Sequence, residues 1–97
     1  MTDRTLAEKT ERYRSMLERA LAAAEPAPTD GDDGGDASGE ELMTMARSYL
    51  DDGIHFLEEG DDADALAAFA YGHGWLDAGV RAGLIDADDP ELFTVEA

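Results

Sequence analysis

The sequence predicts an all-α protein, a small three-helix bundle whose second and third helices form a tight antiparallel hairpin. Three observations carry this. Apolar residues recur at spacings of three and four in three separate stretches. Strong stop signals divide those stretches: Pro26 and Pro28 after the first, Gly60 after the second and Gly83 after the third. The break at Gly60-Asp61 is so short that the helices on either side must fold back on one another. Ninety-seven residues suffice for one modest core, and so for a single domain.

The first helix is expected over residues 3–25, capped by Thr2 or Asp3. Leu6, Thr10, Tyr13, Leu17, Ala20 and Ala24 form a narrow seam on it. The other faces are charged, with Glu8 placed to pair with Arg12 and Glu11 with Arg14. A seam this narrow fits a helix that lies on a neighbour, either within the chain or across a dimer.

Residues 26–38, rich in Pro, Gly and Asp, read as an acidic, solvated linker. The run Asp30-Gly-Asp32-Asp33-Gly within it has the opening of a calcium loop but not its closing glutamate. Ser38 and Glu41 make a capping-box pair that opens the second helix, over residues 39–59. Its apolar arc is Leu42, Met45, Ala46, Tyr49, Leu50, Gly53, Phe56 and Leu57, with Asp52 on the border and expected to be partly buried.

The third helix, over residues 62–82, is the centre of the design, with Asp61 or Asp62 as its cap. Only Asp64, Asp77 and Arg81 are charged between residues 63 and 82. Leu66, Phe69, His73, Leu76 and Val80 share one arc, and Ala65, Gly72 and Gly79 make a small-residue stripe beside it. The opposite side holds Ala67, Ala70, Gly74 and Ala78, flanked by Tyr71 and Trp75, and its composition predicts burial on more than one side. Residues 84–97 form an acidic tail whose Leu92, Phe93 and Val95 either cover one end of the bundle, the reading their apolar side chains favour, or stay loose.

The formal net charge is −17, and it is unevenly placed. Residues 1–25 are neutral, whereas the remainder carries nineteen acids against Arg47 and Arg81 alone. Acids scattered in this way, with Lys9 the sole lysine, fit adaptation to molar salt better than a nucleic-acid mimic, a binder of basic partners or a cation buffer. Binding to nucleic acid is not expected, because phosphate neutralisation needs basic residues. No membrane span is expected either, since no run approaches the roughly 18–20 apolar residues required. The charged first residues lack the pattern of a signal peptide, and the expected compartment is the cytoplasm. With no cysteine, disulfides and thiolate metal sites are excluded.

Two resemblances bear on function. Tyr49, Gly53, Phe56, Ala65, Phe69 and Gly72 look like one tetratricopeptide unit, but there is no second copy, so the likeness is one of hairpin packing. More specifically, Tyr49-Leu-Asp-Asp52-Gly-Ile-His55-Phe56-Leu57 and Gly60-Asp61, with Ala65-Leu66-Ala67, lead to Tyr71-Gly-His73-Gly74-Trp75-Leu76-Asp77-Ala78 and Gly83-Leu84. This pattern resembles an archaeal family of short proteins catalogued as domain of unknown function 357. The resemblance implies a small helical bundle and, with the acidity, a haloarchaeal source; it implies no activity, cofactor or catalytic residue.

From the residues themselves, the expected role is a non-enzymatic interaction or adaptor module that binds another protein or a second copy of itself. Tyr71, Trp75 and Ala78 are its candidate partner-binding residues, because they extend the uncharged surface beyond the core-facing arc. The alternative is a metal-binding or hydrolytic protein. Asp52-x-x-His55 and His73-x-x-x-Asp77 have spacings that can pair ligands, and Asp52, His73 and Asp77 would be the polar candidates. No metal or other cofactor is expected on balance, since His55 falls on the polar face and His73 in the core-facing arc. Burial discriminates the two readings: chemistry requires Asp52, His73 and Asp77 in one solvated cleft.

Overall fold

The computed structural model describes residues 4–28, 38–87 and 89 of the chain. It is an all-α bundle of α1 (Arg4–Ala23), α2 (Ser38–Glu58) and α3 (Asp62–Arg81), joined at one end by the two-residue strands β1 (Glu25–Pro26) and β2 (Ile85–Asp86). The helices run up, down and up. Thr10 lies beside Asp62 and Leu17 beside Gly72, so α1 is parallel to α3, while α2 is antiparallel to both. The α2–α3 packing is the most extensive, as a tight hairpin requires, and α3 lies between the other two helices.

The hairpin turn satisfies its backbone in four residues. Gly60, at φ +79°, ends α2: its N–H donates to the Leu57 carbonyl at 3.0 Å and that of Asp61 to Phe56 at 2.9 Å. These are the paired hydrogen bonds of a Schellman stop. Asp61 then turns round and caps α3, its Oδ1 accepting from the Asp64 N–H at 3.1 Å. The same stop closes α3, where Gly83 (φ +80°) donates to Val80 and Leu84 to Gly79.

The core forms where the three helices converge on the small stripe of α3. Ala65, Gly72 and Gly79 are all buried, together with Ala68, Phe69 and Leu76. A Cβ on Gly72 would stand 3.0 Å from Leu17 of α1, 3.0 Å from the Tyr49 Cβ and 3.2 Å from the Ala46 carbonyl oxygen of α2. Gly72 is thus the crossing point of the bundle. One level below, the Phe69 ring occupies the space that a side chain at Gly53 would fill. From α1, Leu17 and Ala20 are fully buried, and Ala24 just beyond its end nearly so. Thr10 is also fully buried; its hydroxyl donates to the Leu6 carbonyl at 2.7 Å and reaches that of Asp62 at 3.4 Å. The seam of α1 from Thr10 onward is therefore laid against α3, Leu6 being exposed, with Arg14 paired to Glu11 and Glu18 on the outer face.

Four expectations are corrected. On α2 the buried residues are Gly39, Met43, Ala46 and Gly53, and Met45 is exposed. The buried arc is rotated because α2 meets α1 as well as α3, which a single-helix wheel does not register. Asp52 is exposed for the same reason. On α3, Ala67, Ala70, Gly74 and Ala78 are exposed, not buried. Two neighbouring helices cannot surround a third, and alanine and glycine present little apolar area, so this exposure costs little. Lastly, the beginning of the linker is structured. β1 pairs antiparallel with β2, Glu25 opposite Asp86 and Pro26 opposite Ile85, and the Ala27 N–H donates to the Leu84 carbonyl at 2.9 Å. Ile85 is buried as a result, filling the hollow over Gly79 beside Leu42. The Asp30–Gly34 run, the Thr2 or Asp3 cap, and Leu92, Phe93 and Val95 lie outside the described residues.

Candidate functional site

The α2–α3 hairpin has two sides. α1 covers one, and the other is a groove over which no helix of the described residues lies. Leu42, Met45, Tyr49, Asp52 and Phe56 recur on α2 at spacings of three and four and make one wall. Ala68, Tyr71 and Trp75 make the wall on α3. Because the helices are antiparallel, the start of α2 lies beside the end of α3. Leu42 and Met45 therefore meet Trp75, with Glu40, Glu41 and Thr44 around a hollow of about 450 Å³. Further along, Tyr49, Asp52, Phe56, Asp64, Ala68 and Tyr71 surround a second hollow of about 370 Å³.

Between the hollows stands an aromatic ridge. The Tyr49 and Tyr71 rings meet edge to face, with centroids 4.9 Å apart and planes at 85°. This is a favoured aromatic geometry, and it holds Tyr71 upright although the residue is 60% exposed. Trp75 is half-buried; it packs against the core edge and also lines the first hollow. Ala78 is exposed one turn further on. The three residues expected to bind a partner thus share a face at i, i+4 and i+7, and Tyr71 and Trp75 line the groove.

The charged groups around the groove are all acids. Asp61 pushes the Asp64 carboxyl above the usual aspartate range, through a side-chain hydrogen bond first, then charge repulsion and slight desolvation. Glu40, Glu41 and Asp52 complete the set.

Asp52, His73 and Asp77 are not brought together. Asp52 stands at the groove, whereas His73 points from α3 about 200° around the helix from Tyr71, on the side of α1. Its Nε2 is shut away from solvent, and Asp77 is half-buried one turn later on the same side. His55 is exposed on α2, its Nε2 3.2 Å from Glu59. Among the described residues, no three His, Asp or Glu side chains come close enough to hold a metal ion, and no helix is long and apolar enough to cross a membrane.

Met45, Tyr49 and Phe56 were legible as apolar residues but not as a groove wall. Their 3-4 spacing with Leu42 and Asp52 is the signal, and it separates from the core arc only once the position of α1 is known.

The chain matches no curated protein and no solved structure. A family model described as "Protein of unknown function (DUF357)" matches residues 12–85, from the third turn of α1 through Ile85 of β2. The match therefore takes in much of the first helix, beyond the hairpin motifs, and includes both walls of the groove. The chain belongs to the DUF357 family.

Proposed function

We propose that this protein is a non-enzymatic interaction module that docks another protein in the open groove of the α2–α3 hairpin. One observation carries the reading: large aromatic and sulfur-containing side chains, Tyr71, Trp75 and Met45, line a concave surface that no part of the described chain covers. Aromatic residues around a hollow are the usual anchors of protein interfaces, because burying them on binding removes much apolar area at little entropic cost. The metal-binding or hydrolytic reading loses its geometric support, since Asp52 is separated from His73 and Asp77 by the body of α3. The acid excess fits a working environment of molar salt, and we place the protein in the cytoplasm of a haloarchaeon on that ground.

The test is affinity capture from a haloarchaeal lysate in molar KCl, using the native chain and Tyr71→Ala side by side. Tyr71 is largely exposed, so its removal spares the core. The expected result is a protein retained by the native chain and lost from the variant. Retention of the same proteins by both baits would overturn the groove as the docking site.

A further inference from the structure

We infer that the occupant of the groove is a basic, amphipathic helix supplied by another protein. This rests on the docking reading above and adds the chemistry of the partner.

Charge selects a basic partner. Glu40 and Glu41 rim the hollow at Trp75, and Asp52 and Asp64 rim the hollow at Tyr71; among the described residues no Lys, Arg or His lines either. The two bases of the hairpin, Arg47 and Arg81, stand away from both hollows. A partner that brought carboxylates or phosphates here would meet like charge at each end, whereas Lys or Arg would be complementary.

The chain itself holds a precedent. Residues 38–81 carry ten acids against two bases, yet the helix that packs on their other side, α1, carries five bases against three acids. The hairpin already holds one amphipathic helix of net positive charge. Its open side offers the same backbone arrangement, two antiparallel helices with a furrow between them, into which a helix seats by ridge-and-groove packing.

Geometry fixes the spacing of the partner. Glu41 and Asp52 are eleven residues apart on one face of α2, about 16 Å at 1.5 Å per residue. A helix along the furrow would place apolar side chains in the two hollows, either side of the Tyr49–Tyr71 ridge. It would carry Lys or Arg about three turns apart to meet the acidic ends. A second copy of the chain does not fit this description. Its basic outer face is that of α1, whose apolar residues Leu17 and Ala20 are already spent on its own core, and each copy brings a net charge of −17.

The experiment is a selection from a displayed library of Trp-free helical peptides. Apolar residues are fixed at i, i+4 and i+7, and flanking positions are randomised among Lys, Arg, Glu, Asp, Gln and Ser. The full-length chain is the bait in moderate and in molar KCl. Trp75, the sole tryptophan, reports binding of the selected peptides by its fluorescence. The inference predicts enrichment of Lys and Arg at the flanks and about three- to tenfold weaker binding to Glu41→Gln/Asp52→Asn. The preference should shrink in molar salt, where the screening length falls to about 3 Å. Binders with acidic or neutral flanks, lost on Tyr71→Ala, would overturn the basic partner while leaving the groove a docking site. Recovery of no binder sensitive to Tyr71→Ala would overturn the docking reading itself. A dimer in sedimentation that is abolished by Tyr71→Ala would replace the proposed partner with a second copy.

Discussion

The same two helices present opposite sides with opposite uses of their side chains. On the side of α1, small residues let the backbones approach: Gly72 is hemmed in by Leu17, Tyr49 and Ala46, and Gly53 gives its space to Phe69. On the far side large residues stand apart, with Met45, Tyr49, Phe56, Tyr71 and Trp75 around hollows of about 370 and 450 Å³. Close approach buries surface permanently, and an open aromatic furrow keeps it available. The lesson is that the hairpin separates stability from recognition by side, so substitutions on the two sides should have different consequences.

The largest effect should follow from emptying the covered side. Phe69 is fully buried, so Phe69→Ala should cost about 3–5 kcal/mol in urea denaturation, enough to unfold most of a small domain. A loss near that of a surface substitution would mean that the core is elsewhere. Next comes overfilling. Gly72→Ala places a methyl against the Ala46 carbonyl and Leu17 and should cost about 1–3 kcal/mol, despite the better helix propensity of alanine. A stabilised variant would show that the three helices do not cross there.

These core contacts were only partly legible in the sequence. The stops at Gly60 and Gly83 are local events, written in single residues with one conformational role, and the structure has them where the sequence puts them; of the two candidate caps, Asp61 and Asp62, it uses Asp61. The small stripe Ala65–Gly72–Gly79 was also visible, since residues spaced by seven share one face of a helix. What could not be read was the side of the hairpin on which α1 lies. The choice between Met43 and Met45 as the buried residue, and the exposure of Asp52, depend on where α1 sits around the hairpin, which periodicity within α2 does not encode. The pairing of Pro26 with Ile85 was hidden by a composition that elsewhere signals solvated chain. For the site, Tyr71, Trp75 and Ala78 were visible as surplus apolar surface, but the facing wall on α2 was not.

A smaller effect belongs to the hairpin turn, which serves both sides equally. Asp61→Ala removes the cap of α3 and should cost about 1 kcal/mol, whereas Asp61→Asn keeps the acceptor for the Asp64 N–H and should be nearly neutral. The two variants also separate capping from charge. Because Asp61 raises the Asp64 carboxyl above its ordinary value, this pair favours the native state fully below the unfolded aspartate pKa, near 3.9, and that contribution is lost as pH rises through the native value. Carboxyl NMR titration should find Asp64 shifted back down in Asp61→Asn. An unchanged midpoint would remove Asp61 as the cause.

The smallest effect on stability is expected in the groove, and it tests the division between the two sides most directly. Urea denaturation of Tyr71→Ala should be compared with that of Leu17→Ala under one salt condition. Tyr71 contributes one edge-to-face contact with Tyr49 and is 60% exposed, so its loss should cost about 0.5–1 kcal/mol. Leu17, fully buried against Gly72, should cost about 2–5 kcal/mol. That ratio would leave the groove free for a partner. Comparable losses from the two variants would make the aromatic ridge part of the scaffold and contradict the separation of stability from recognition.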